Sequence, residues 1–309
     1  MQQLEQLGSF SPGSRIGILL SHGLGGTPSE LKFVARSLNK YGFSVLCPLL
    51  AGHCASEAEL VATGWRDWMA SLEHAYHALS EKMDAVFVGG LSAGAVFSLR
   101  LALNGQTPPP RGLLLYSTTL RWNGWSIPKL RFLLPLVLRL PYIGKRYHFK
   151  ETHPYGVMND KLRKRIRAHM ESGDSLAAGL ASTPGFSLRE LWRLVDIVKK
   201  DLPSVETPTL LIHAKRDDIA HRSNAMEVYT GLGGPAELLL LENSYHMITV
   251  DQERDKVSAA SAVFCRGLLS REEKEELEAH ASQEAPVDMP NATLRRPAAA
   301  ATGPMLSAP

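Results

Sequence analysis

Six short apolar runs recur along the chain: IGILL (16–20), FSVLC (43–47), AVFVG (85–89), GLLLY (112–116), TLLIH (209–213) and ELLLLE (237–242). They are continuous rather than alternating, the pattern of strands in a parallel sheet covered on both faces. Between them Ser29 to Lys40, Trp65 to Ser80 and Ala93 to Asn104 have the length and periodicity of helices. Strands alternating with helices predict right-handed crossovers and an α/β fold with a mainly parallel sheet of about six strands. Trp65 and Trp68, three apart on one such helix, are expected to pack against the sheet.

One connection breaks the rhythm. From Ser117 to Pro208, 92 residues lie between two strand candidates, where one helix and its loops need about thirty. The surplus is expected to form an inserted helical cap over the sheet. The organisation expected is therefore an N-terminal extension (1–13), a core made of 14–116 and 209–269, a cap (117–208) and a tail (270–309). The tail begins "REEKEELEAH" and ends "RRPAAAATGPMLSAP", so beyond Leu269 a frayed helix and then disorder are expected.

The net charge of the 309 residues is only +3, but its distribution is uneven. Twelve Lys or Arg stand against two acids between Arg121 and Arg167. Such a cap can be a solvated surface. Alternatively, Lys129, Arg131, Arg139, Lys145 and Arg146, interleaved with Leu, Phe and Pro, can rest on anionic lipid. No basic-then-apolar leader opens the chain and no 18 apolar residues run without a charge. The expected location is cytoplasmic, at most peripheral to the inner membrane face. Cys47, Cys54 and Cys265 match no zinc or C-x-x-C spacing, so reduced structural thiols are expected. No metal, cofactor or nucleic-acid partner is implied.

The chemistry begins at "GGLSAGAVFSL" (89–99). Ser92 stands between two glycines directly after a strand candidate and before a helix candidate, the pattern of a nucleophile elbow. A serine hydroxyl needs a base and an acid that orients the base. In the strand–turn–helix setting these follow the serine in the order acid, histidine, each past a later strand. "TLLIHAKRDD" supplies Asp217 and Asp218, and "ELLLLENSYHMITVD" supplies His246. The glycines of "LLSHGLGGTPSE", at 23, 25 and 26, would let the Leu24 amide face the serine. With the Ala93 amide it would form an oxyanion hole. His22 is expected to brace that loop; His53, His213 and His221 read as ordinary polar or loop histidines.

Taken together, "HGLGGTPSELKFVARSL", "CPLLAGHCAS", "GLSAGAVFSLRLA", "HAKRDD" and "YHMITVDQERD" resemble an α/β-hydrolase of the small bacterial carboxylesterase and monoacylglycerol lipase type over residues 14 to 268. The resemblance implies Ser92, Asp217 and His246 as a cofactor-free triad and favours the first aspartate of the pair. The expected activity is cleavage of monoacylglycerol, lysophospholipid or short and medium acyl esters through an acyl-enzyme. The same triad would serve a thioesterase or acyltransferase. An inactive hydrolase fold used for binding is disfavoured by the intact Ser, Asp and His. Cys54, in Gly52-His53-Cys54, departs from the family's usual G-H-G; Ala95 stands where glycine is frequent, and "DIAHR" follows the acid in place of valine and proline.

Overall fold

The computed structural model describes residues 2–54, 56–106, 108–127, 147–150, 153–171, 182–282 and 293–297. In chain order the first half contains α1 (Gln2–Leu7), β1 (Gly8–Ser11), β2 (Ile16–Ser21), α2 (Lys32–Lys40), β3 (Ser44–Pro48), α3 (Glu57–Ala62), α4 (Trp65–Ser80), β4 (Ala85–Leu91), α5 (Ala93–Leu103) and β5 (Leu113–Tyr116). The second half contains β6 (His148–Lys150), α6 (Asp160–Glu171), β7 (Ser182–Pro184), α7 (Gly185–Asp201), β8 (Thr209–Ala214), α8 (Ser223–Gly231), β9 (Ala236–Leu241), α9 (Arg254–Gly267), α10 (Arg271–His280) and β10 (Thr293–Arg296).

The main sheet has eight strands in the order β1-β3-β2-β4-β5-β8-β9-β10. Its six inner strands are the six apolar runs, all parallel. The sheet exceeds the expected six because antiparallel strands close both edges: Gly8 to Ser11 against Pro48 to Val45, and Thr293 to Arg296 against Leu239 to Ala236. "GSFS" and "TLRR" have no apolar run. An edge strand buries little of itself, so its composition does not announce it.

Side chains of the inner strands alternate between two cores. Leu19, Val86, Val88, Leu113 and Leu115 join α4, α5 and α7 on one face, with Trp68, Tyr76 and Phe97 fully buried there. Ile16, Ile18, Leu20, Phe87 and Ile212 join α2 and α9 on the other. Burial on both faces explains why these strands read as unbroken apolar runs.

One expectation changes in the chain's second half, and another gains detail. The stretch after Leu269 does not fray at once: Ser270 caps α10 through a capping box with Glu273, and Leu277 buries into the second core. The Ser270–Glu273 pair satisfies helix-end donors reciprocally, and Leu277 anchors an otherwise polar helix. Arg111 bonds Glu273, the Arg15 amide donates to Glu276, and β10 follows as an edge strand. Within 117–208, α7 buries Leu188, Leu191, Leu194 and Val198 in the same core as Phe97, while β6 and β7 form a separate antiparallel pair. Lys129, Arg131, Arg139, Lys145 and Arg146 lie outside the described residues.

Candidate active site

β4 ends at Leu91 and α5 begins at Ala93, which leaves Ser92 alone in the turn with φ 59° and ψ −111°. This left-handed backbone is strained for a residue with a side chain and persists only where the surroundings enforce it. The flanking glycines show the enforcement. A Cβ on Gly94 would lie 2.2 Å from the Ser21 carbonyl oxygen, and one on Gly90 would lie 2.5 Å from the same atom. The elbow is thus wedged against the end of β2, and only glycine allows that approach. The Ser92 amide donates to the Tyr116 carbonyl at 2.8 Å.

The Ser92 hydroxyl is 3.0 Å from Thr119 Oγ1. Thr119 donates its own proton to the Ser117 carbonyl, so in this contact Ser92 is the donor. Ser117, with φ 45°, in turn donates from Oγ to the His246 carbonyl at 2.7 Å. The segment after β5 therefore touches the serine with one hydroxyl and the histidine loop with another.

His246 is buried in the loop that follows β9. Its Nδ1 meets both carboxylate oxygens of Asp217, at 2.8 and 3.1 Å. Asp218 instead holds backbone, and its oxygens accept the His246 amide at 3.2 Å and the Gly156 amide at 3.1 Å. Asp217 also accepts the Ile219 and Ala220 amides. Behind it His213 Nε2 donates to the Ala220 carbonyl at 2.8 Å and lies 3.3 Å from Asp217 Oδ2.

Charge follows geometry. Burial works against the His246 cation, but the Asp217 charge and hydrogen bond, with Asp218 and Glu30 behind them, hold the imidazole above its ordinary pKa. Burial raises Asp217 too, yet His246 and His213 draw it below the usual carboxylate range. Burial, with the Asp217 charge, keeps Asp218 above that range. An Nδ1–H donated to Asp217 leaves the Nε2 lone pair available as a base.

The loop after β2 forms the opposite wall. Buried His22 donates from Nδ1 to the Gly23 carbonyl at 2.9 Å, and burial beside His53 depresses its pKa to about 3. It is a neutral brace. A Cβ on Gly23 would fall 3.7 Å from Ser92 Cβ, so this loop runs close beside the serine, and Leu24 follows directly. Gly23, Leu24, Ser92 and His246 line one cavity whose walls include the apolar side chains of Trp122, Phe149, Leu191, Ile219 and Met247. Ala93 is buried at the first position of α5.

Sequence reasoning missed Glu30, which also lines this cavity, and Thr119 and Ser117; His213, expected as an ordinary polar or loop histidine, is instead buried on β8 beside Asp217. None sits in a motif that marks it; chain topology alone brings each to the C-terminal rim of the sheet. Cys54, where the family pattern has glycine, takes φ 61°, the left-handed backbone that glycine would supply without strain. Burial raises its thiol to about 11. Among the described residues no cluster of three His, Cys, Asp or Glu is arranged to hold a metal ion, and no helix is long and apolar enough to cross a membrane.

Comparison with known proteins places this chain in a wider group. A family model described as Serine aminopeptidase, S33 matches residues 14–253. The chain is 27% identical over 256 residues to a thermostable monoacylglycerol lipase of Bacillus sp. (strain H-257), covering 82% of this chain and 92% of that one. It is 27% identical over 251 residues to a carboxylesterase of Bacillus subtilis (strain 168), covering 81% and 91%. A solved structure from the metagenome-derived lipolytic enzymes LipS and LipT superposes with a TM-score of 0.69 at 28% identity, covering 84% of this chain and 96% of that one.

Proposed function

The chain belongs to the Serine aminopeptidase, S33 family, and from that membership and the site geometry we propose that it is a serine ester hydrolase working through Ser92, His246 and Asp217. The observation that carries the reading is the two-oxygen contact of Asp217 with His246 Nδ1. It fixes the tautomer that a base needs.

In the reaction the Ser92 hydroxyl leaves Thr119, and its oxygen attacks the ester carbonyl carbon as His246 Nε2 takes the proton. The Leu24 and Ala93 amides receive the negative charge that develops on the carbonyl oxygen. The C–O bond to the alcohol breaks as the His246 imidazolium protonates the departing oxygen, leaving an acyl group on Ser92. Water, deprotonated by His246, then attacks the acyl carbon; Ser92 departs with the proton, and the acid is released. Asp217 keeps its charge throughout and stabilises the imidazolium.

The relatives' names support monoacylglycerols and other carboxylic esters as substrates, and the apolar walls of the cavity suit an acyl chain. A panel of p-nitrophenyl esters, monoacylglycerols, lysophospholipids and acyl thioesters tests this. Oxygen esters are expected to turn over fastest; a preference for thioesters, or acyl transfer to an added alcohol in place of hydrolysis, would replace the reading with the thioesterase or acyltransferase one. Contact with anionic lipid rests on Lys129, Arg131, Arg139, Lys145 and Arg146, bases interleaved with apolar residues in the sequence. Flotation with vesicles is expected to recover the protein with anionic lipid and not with zwitterionic lipid alone; equal recovery from both removes that contact.

A further inference from the structure

Resting on the ester-hydrolase reading, we infer that Glu30 is a positioning residue of this site: its carboxyl braces the turn that presents the Leu24 amide and supplies part of the negative charge that faces His246. Glu30 lies in the short 3₁₀ turn Pro28–Leu31, which Thr27 caps. Its Oε2 accepts the Gly23 amide at 3.2 Å. The same carboxyl fills the space beside Gly26, where a Cβ would come within 2.0 Å of Oε1, so Gly26 must be bare for Glu30 to reach its place. Gly23 lies between the carboxyl and the nucleophile: its Cβ position is 3.6 Å from Glu30 Oε2 and 3.7 Å from Ser92 Cβ. A carboxyl so placed governs the peptide just before the Leu24 amide, and small errors in such a donor's position cost rate steeply.

Two titratable groups from other elements stand near this carboxyl, and Glu30 and His246 line one cavity. The Cys54 thiol, from the loop after β3, is raised to about 11 and stays neutral. His246, from the loop after β9, is the charged partner. Burial pushes Glu30 up to about 7, against the Gly23 and Thr27 amides and His246, which draw it down. On its other sides His246 faces Asp217, Asp218 and His213, the last kept low chiefly by burial. Glu30 and His246 thus act on each other, each ionised form favouring the other. An ionised Glu30 raises the basicity of His246 and supports the imidazolium that forms in each half-reaction.

Two variants separate charge from brace. Glu30→Gln retains an oxygen for the Gly23 amide but removes the charge. His246 then loses one of the groups that raise its pKa, so the acid limb of the kcat/KM profile on a p-nitrophenyl ester is expected to move to lower pH by about half a unit or more. Glu30→Asp keeps the charge but is one methylene short of the amide. Its acid limb is expected to stay near the wild-type position while kcat falls about tenfold or more, with KM changing less. An acid limb in Glu30→Gln superimposed on the wild-type one, or a wild-type kcat in Glu30→Asp, would overturn the inference. Fluorophosphonate labelling of the wild type separates the two failures. Without a Ser92 adduct the hydrolase reading itself falls; with an adduct and coincident profiles, only the role of Glu30 does.

Discussion

Ser92→Ala is expected to lower kcat on any ester substrate by about five to six orders of magnitude, the scale measured when a triad nucleophile is removed. The loss is large because no neighbour can take its place. Thr119, whose hydroxyl is 3.0 Å from Ser92 Oγ, already donates its proton to the Ser117 carbonyl, and it stands on a loop rather than at the tip of the strained elbow. Folding should survive the change. The backbone angles of Ser92 are imposed by the approach of Gly90 and Gly94 to Ser21, and alanine tolerates them about as well as serine does. The variant should therefore retain the wild-type Tm within a degree or two and bind substrate without turning it over. Steady-state kinetics and a thermal melt, run side by side, check both halves. A Ser92→Ala enzyme with a tenth of wild-type activity would remove the serine from the mechanism.

The adjacent aspartates should respond in opposite ways. Asp217→Asn is expected to reduce kcat by about four orders of magnitude. An amide at that position can donate to Nδ1, which would turn the proton of His246 onto Nε2, where the base must be empty. Asp218→Asn should leave kcat/KM within about tenfold but lower stability. Asp218 accepts two backbone amides, from His246 and Gly156, and asparagine has one oxygen to offer. An unmatched buried group costs about 1–3 kcal/mol, which for a domain of this size lowers Tm by several degrees. Kinetics below the melting temperature and calorimetry separate the two aspartates. Equal losses of activity in the two variants would contradict the division of labour described for them.

Much of this site was legible in the sequence because each part leaves a local mark. A doubly covered strand must be apolar throughout, so all six inner strands were visible as runs, and the positions following them at 92, 217 and 246 were read from those runs. The choice between Asp217 and Asp218 was not local. Both follow β8 at nearly the same distance, and only the paths of the β8 and β9 loops decide which carboxylate meets Nδ1 and which meets the backbone. The edge strands were hidden for the opposite reason to the inner ones, since "GSFS" and "TLRR" join the sheet through backbone hydrogen bonds that any side chains permit. Glu30 was hidden as well. It looks like an acidic residue at a turn until the fold places Gly23 and Gly26 around its carboxyl.

Intact-mass analysis after treatment with a fluorophosphonate, followed by peptide mapping, tests the central claim most directly. The account predicts one adduct per chain, carried by Ser92, formed more slowly as the pH falls and His246 becomes protonated, and lost in Ser92→Ala. A fully folded native protein that takes up no label, or a Ser92→Ala variant labelled as quickly as the wild type, would contradict it.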